Sequence, residues 1–457
     1  FAVTTHVTFH PLTAAQIAYN ALVAPYIATY SYPGNTNGGG LVGANSLFDN
    51  DDFYRQSWQL TYDLVFGSTV THELHLGYMW SKDREELYRY SNGWGAVSIP
   101  FRSTPLVVNG KTAIFQAQVQ QQGILGVPPI LSEYVSYNFE VNDKIRWKDL
   151  TFNVGFLMSD DELYGQGLRR DAYALSGFVA APGNKYLMHE IKWKDTFQPR
   201  IGVTWNYRGQ DSIYANYARY VPAASSLPRA ASWARNKATT VNAYFDANGI
   251  FIGSTPEASS SGKLFQAGLK PRAIDEYLVG TTKDFGRGWS GRLYGRYRYS
   301  DNFWEDTNNN ARVAFNPPDG IPRELYIPDL TAKLAQIGSG SSFVIAHMQG
   351  AFTKYYEAGL EAEWRGEKAY FRGSYVWSHY YGNFDQDSTS TPTGNDANLF
   401  IGSSNIGDDP GRQIWDNKYG NLTGDRRHLL KLMANYNLPW NAQVGAWVIY
   451  QSGQPWQ

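Results

Sequence analysis

Apolar and polar positions alternate along most of this chain. The stretch 289–299 shows the rule. Trp289, Gly291, Leu293, Gly295, Tyr297 and Tyr299 fall on one face of an extended strand, and Ser290, Arg292, Tyr294, Arg296 and Arg298 on the other. The same period runs through 57–80, where Trp58, Leu60, Tyr62 and Leu64 lead to Gly67-Ser68-Thr69 and back through Leu74, Leu76, Tyr78 and Trp80. Lys148-Asp149 separates a strand ending at Trp147 from Leu150, Phe152, Val154, Phe156 and Met158. Ile201, Val203, Trp205 and Tyr207 precede a turn at 208–211. The faces of 212–220 stay open, because Ile213, Ala215 and Tyr217 compete with Tyr214 and Tyr220. Further pairs fall at 273–285 with 289–300, at 355–364 with the strand carrying Phe371, Tyr375 and Trp377, and at 427–438 with 441–451.

This pattern predicts about twelve strands of about 10 residues in about six hairpins. Short turns alternate with long polar loops. An 11-residue strand at ~3.3 Å per residue, tilted by ~45°, rises ~25 Å, the height of the apolar band of an outer-membrane barrel. The expected fold is therefore all-β: a transmembrane antiparallel β-barrel with long loops on one side and short turns on the other. A large soluble β-sandwich or propeller gives no reason for long loops on one side only. Asn248-Gly249, between Tyr244-Phe245 and Ile250-Phe251-Ile252, adds a small hairpin within the loop 221–272.

Aromatic residues mark the short turns: Trp147, Tyr207, Phe285, Trp289, Trp364 and Trp440. Amphipathic rings at one level form an interfacial girdle, here on the periplasmic side. The face opposite the aromatics carries Arg292, Arg296 and Arg298, then Glu357, Glu361 and Glu363, with Arg372 beyond. Antiparallel pairing is expected to set Arg298 near Glu357, Arg292 near Glu363 and Arg296 close to Glu361. Charges at the lipid midplane cost ~2–4 kcal/mol each, so this ladder belongs on a wet lumen wall. It reads mainly as structural ion pairs and secondarily as a wall that touches a plug or cargo.

Composition supports the barrel. The chain has 457 residues, a formal charge of -1, no cysteine and 16% aromatics, against 18% charged residues. Near-neutrality disfavours a nucleic-acid partner. No apolar run approaches the ~20 residues of a membrane helix. Phosphate-loop, nucleophile-elbow and HExxH signatures are missing, so no enzyme activity is expected. No cofactor is expected either; Asp49, Asp51 and Asp52, with Asp408-Asp409, are the weak candidates for a loop calcium ion. His72 and His75 lie on opposite faces of a strand and form no metal pair. The loop residues Trp94, Trp233, Trp304 and Trp415 are candidates for stacking on a sugar or peptide, or for packing within the loops.

Four stretches, in order, resemble TonB-dependent transporters of the Gram-negative outer membrane, in particular the Oar-like subgroup. They are Phe197 to Val221, the run from Ile274 through Tyr299, Tyr355 to Asn383, and Gly420 to Trp440. The last contains Gly424, Asp425, Arg426 and His428, read as a loop-to-strand anchor. The resemblance implies a barrel of about twenty-two strands closed by a plug, with a short box that binds TonB, in contact with outer-membrane lipid and lipopolysaccharide. It implies import of a ligand too large or scarce for porins: a siderophore, cobalamin, a glycan or a peptide, with peptide or protein cargo for the Oar-like members. Residues 1–457 then form a barrel segment, entered midway through a strand at Phe1, without plug, box or terminal strands. The alternative is a structural or adhesion barrel of the outer membrane whose loops bind partners without active transport.

Overall fold

The computed structural model describes residues 2–6, 47–91, 97–98, 101–122, 130–170, 178–224, 228, 238–246, 250–259, 264–266, 268–308, 315–316, 343–347, 350–383, 419–422 and 424–454. A 15-stranded sheet dominates. Its main path is β1 (Ala2–His6), β2 (Leu47–Phe66), β3 (Val70–Ser91), β4 (Ile130–Trp147), β5 (Leu150–Arg170), β6 (Gln198–Arg208), β7 (Asp211–Tyr220), β8 (Ala273–Gly286), β9 (Trp289–Asp301), β10 (Thr353–Arg365), β11 (Ala369–Gly382), β12 (His428–Asn437) and β13 (Gln443–Gln451). Each strand pairs with its predecessor on this path, always antiparallel. The expected all-β, antiparallel class is what the structure has.

The six expected hairpins are β2–β3, β4–β5, β6–β7, β8–β9, β10–β11 and β12–β13. Five of the six turns, all but that of β10–β11, hold residues at positive φ. Lys148 (52°) turns β4 into β5, and Gly286, Arg287 and Gly288 (74°, 53° and 80°) turn β8 into β9. The open faces of β7 are settled by pairing. Ile213, Ala215 and Tyr217 stand beside Trp205, Val203 and Ile201 on the apolar face, and Tyr214 takes the other.

Strand length departs from expectation. β2 to β5 run 20, 22, 18 and 21 residues, about twice the predicted span. Their loop-side halves, such as Ser81–Ser91, carry charge without clean alternation. Alternation arises where one face meets an apolar phase and the other meets water. Above that phase both faces are polar, and the sequence stops announcing the strand. Asp51 and Asp52 therefore sit within β2 and not in a loop. Consecutive residues of a strand point to opposite faces, so these two members of the calcium set cannot converge on one ion.

The loops build two further sheets. One has five strands, Val97–Ser98, Phe101–Val108, Lys111–Gln122, Ala238–Phe245 and Phe251–Ser259, joining two loops distant in sequence. Ala238–Phe245 and Phe251–Ser259 pair as the hairpin expected at Asn248-Gly249; the turn residues themselves lie outside the described residues. The other has four strands, Leu264–Gln266, Trp304–Asn308, Phe315–Asn316 and Phe343–His347.

Candidate functional site

The main sheet has two unlike faces. On one, Val279, Leu293, Leu360, Val448 and their neighbours are exposed. The turn aromatics stand at one edge of this face: Trp289 packs against Trp364 with ring centres 6.0 Å apart and planes tilted by 35°, and Trp440 is 90% exposed at its turn. A second aromatic row crosses the same face toward the loop side. Tyr217, Tyr277, Tyr297, Tyr356 and His379 follow one another at centroid distances of 5.0, 6.2, 5.0 and 6.3 Å. Trp289 and Tyr297 lie eight residues apart on β9, a rise of roughly 19 Å for a strand tilted by ~45°. Sequence reading found the first row because the turns set its level. The second has no turn beside it and emerges only from register.

The opposite face holds the charge ladder, in a register different from the expected one. Arg292 pairs with Glu361 and Arg296 with Glu357, two residues away from the expected Arg292–Glu363 and Arg298–Glu357. The face assignment survives, because a step of two preserves parity. The outward face explains the slip. The observed register sets Trp289 opposite Trp364, Leu293 opposite Leu360 and Tyr297 opposite Tyr356. The expected one sets Tyr297 opposite Ala358 and Trp289 opposite Gly366. Aromatic pairs and ion pairs are each worth ~0.2–1 kcal/mol, but the charges can find other partners while the rings cannot.

The charges do re-pair. Arg298 turns to Glu276 on β8, a residue that sequence reading did not single out. Arg296 bridges Glu357 at 3.1 Å and Glu276 at 3.5 Å. Glu357 also accepts the Tyr355 hydroxyl at 2.8 Å. Glu361 sits between Arg292 and Arg372, 3.7 Å from each. Glu363 takes Arg365, at 2.5 Å. Arg292 donates to the Tyr214 hydroxyl at 2.6 Å, with its guanidinium 4.7 Å from the Tyr294 ring centre. Tyr294 lies flat over Gly359, where an added Cβ would come within 2.3 Å of the ring. A cavity of about 250 Å³ opens among Arg292, Glu361, Glu363, Arg372, Ser290 and Thr282. With Lys283 and Asp284 also lining it, three acids and three bases balance, so it can hold a neutral or zwitterionic surface by paired hydrogen bonds.

The Gly424–His428 segment ties a loop to β11. Asp425 is buried; it accepts the Tyr380 N–H at 2.9 Å and Arg427 Nη2 at 2.7 Å. The guanidinium partner is thus Arg427, while Arg426 contributes its carbonyl to Ser378 Oγ at 2.7 Å. His428 meets the Tyr375 hydroxyl at 2.8 Å through Nδ1, and its N–H donates to Ser452 Oγ at 3.1 Å.

Toward the loops the charged face is buried. Ser81, Glu85, Ser132, Tyr134, Ser136, Asp161, Leu163 and His189 are all covered there. On the opposite side of the same strands stand Lys82, Glu133 and Asp160, which marks this level as lying beyond the apolar band. Asp161 accepts Ser136 Oγ at 2.6 Å and Ser159 Oγ at 3.2 Å; burial, only partly offset by these hydroxyls, raises its carboxyl above the ordinary range. Glu133 is held below that range by Lys82 (2.6 Å) and Lys185 (2.9 Å), which outweigh its burial. Trp304 is 4% exposed and donates to the Lys270 carbonyl, so it packs within the loops and cannot stack on a ligand. Trp94, Trp233, Trp415, Asp408, Asp409 and the Asp49 side chain lie outside the described residues. Among the described residues no three His, Asp or Glu side chains gather as a metal site.

No protein-family model matches the chain, and neither does any curated protein. Among solved structures it is similar to the ferric citrate transporter FecA (11% identity, TM-score 0.47, covering 89% of this chain and 43% of that one). It is also similar to the siderophore receptor PiuA from Acinetobacter baumannii (13%, 0.48, 89% and 46%). The ferric-catecholate import receptor Fiu from K12 E. coli follows (10%, 0.41, 93% and 58%). The chain spans about half the length of these structures.

Proposed function

We propose that this chain forms part of the wall of a transmembrane β-barrel in the outer membrane, within a TonB-dependent receptor that imports a scarce or large ligand. One observation carries the membrane reading: an apolar face continuous over neighbouring strands, bounded by two aromatic rows, backed by a face of arginines and glutamates. Only an apolar slab with two interfaces favours that arrangement. The four motif stretches support the TonB-dependent family and its Oar-like subgroup; the cargo proposed with that subgroup is a peptide, protein or glycan. In this reading residues 1–457 are one barrel segment. The charged wall faces the lumen, and the loop sheets cover its outer mouth.

The test uses the parent protein expressed in a Gram-negative host. It is expected in the outer-membrane fraction, with heat-modifiable migration on a gel, and it is expected to bind the periplasmic domain of TonB. Recovery in a soluble fraction overturns the membrane reading. Outer-membrane recovery without TonB binding selects the structural or adhesion barrel.

A further inference from the structure

We propose that His189 is an acid-operated latch: its imidazole clamps the four-stranded loop sheet onto the charged face of the wall, and protonation releases that sheet. His189 lies on Phe178–Ile191, the strand beside β5, directly paired with Leu163. Leu163 is thirteen residues from the turn at Leu150, a rise of roughly 30 Å at ~45° tilt, above the apolar band. Its ring stacks on Phe265 at 5.0 Å and 3°, and meets Trp304 edge-on at 5.8 Å and 83°. Phe265 and Trp304 belong to two strands of the loop sheet that come from different loops. One side chain thus joins three segments far apart in sequence. His189 and Trp304 are each 4% exposed and Phe265 is 1% exposed.

Neither ring nitrogen of His189 makes a hydrogen bond of ordinary geometry; the one polar group that reaches the ring is the Leu269 backbone, too weakly to offset burial. The neutral ring tolerates this poorly, and the imidazolium far worse, since it presents two N–H donors and a full charge to a site closed to water. The flanking rings attract a cation but accept no hydrogen bond of ordinary strength. Charged groups nearby are Asp161 on the wall, Glu190 on the same strand and Lys192 just past its end, and Lys270, Arg272, Asp301 and His347 from the loops. None of them sets the proton affinity of His189. Burial lowers it to about 4, against a smaller upward pull from the Leu269 backbone. His347, opposite Trp304 in the loop sheet, is lowered by burial as well, with Asp301 opposing.

The sign follows. Closed, the ring takes a proton near pH 4; open, it takes one near 6.5. Between those values the open form binds more protons, so acid favours opening, by about tenfold per pH unit and about 300-fold in all. Lys192→Cys on the wall and Lys270→Cys beside the loop sheet, both exposed, are the spin-label sites; this chain has no cysteine of its own, and any cysteine elsewhere in the full protein is first replaced by serine. The distance between them is read by pulsed spin resonance on the full protein in detergent. At pH 7.5 a single narrow distance is expected, and at pH 4.5 a longer, broader one. His189→Phe is expected to keep the narrow distance at both pH values. If that variant misfolds, His189→Gln, which carries no charge, gives the same reading. An unchanged wild-type distance at pH 4.5 overturns the latch, as does opening that persists in either variant through His347 or Asp161. Loss of TonB binding leaves these outcomes untouched, so the two proposals fail separately.

Discussion

Arg296 and Glu357 face each other across β9 and β10, with Nη1 3.1 Å from Oε2. Glu357 is 9% exposed and also accepts the Tyr355 hydroxyl, while Arg296 keeps Glu276 as a second acid. Glu357→Gln is expected to lose about 1–2 kcal/mol of stability, more than an exposed pair and less than a fully buried one. A double-mutant cycle with Arg296→Gln, read by urea unfolding in detergent, should show a coupling of at least ~0.5 kcal/mol. No coupling would mean that the two side chains act independently.

Tyr294 rests on Gly359, and that contact holds the ring under Arg292. Gly359→Ala puts a methyl into the ring and is expected to cost ~1–3 kcal/mol. Combining it with Tyr294→Ala should recover part of the loss. Equal losses in the single and the double variant would show that the backbone, not the ring, needs the glycine.

Leu293 is exposed at the middle of the apolar face. Leu293→Arg is expected to cost ~2–4 kcal/mol and to reduce outer-membrane assembly, whereas Tyr299→Arg, nearer the loops on the same face, should cost about 0–1. Folding into lipid vesicles, scored by heat-modifiable migration, reads both. Similar behaviour of the two would refute the proposed depth of the band.

Asp161 sits among hydroxyls with no cation bonded to it, and burial raises its carboxyl. The folded form therefore holds its proton to higher pH than the unfolded form. Stability from this group is full below the unfolded value of 3.8 and declines as pH rises through the raised folded value. Asp161→Asn should match wild type near pH 3.5 and exceed it by up to about 1 kcal/mol at pH 8. Unfolding midpoints at both pH values check this; a variant less stable at pH 8 would mean that the carboxylate has a cationic partner.

Period-two alternation was enough to find the hairpins, to sort Trp289, Leu293 and Tyr297 from Arg292, Arg296 and Arg298, and to set large aromatics beside the turns. These are local properties, carried by each strand and its own turn. Where the turn residues were explicit, as at Lys148-Asp149 or Gly286-Arg287-Gly288, the strand ends were legible too. The pairing of β9 with β10 was not. A long loop joins them, so no turn sets the register, and a slip of two leaves every side chain on its face. The match of Trp289 to Trp364 and Tyr297 to Tyr356 decided it, which required both strands in place. The loop-side halves of β2 to β5, the tyrosine row and the burial of His189 were equally hidden, since each depends on segments that meet only in the folded chain. Sequence thus determined which residues share a face. Tertiary structure decided which of them touch, because contact across strands is a property of pairing and not of period.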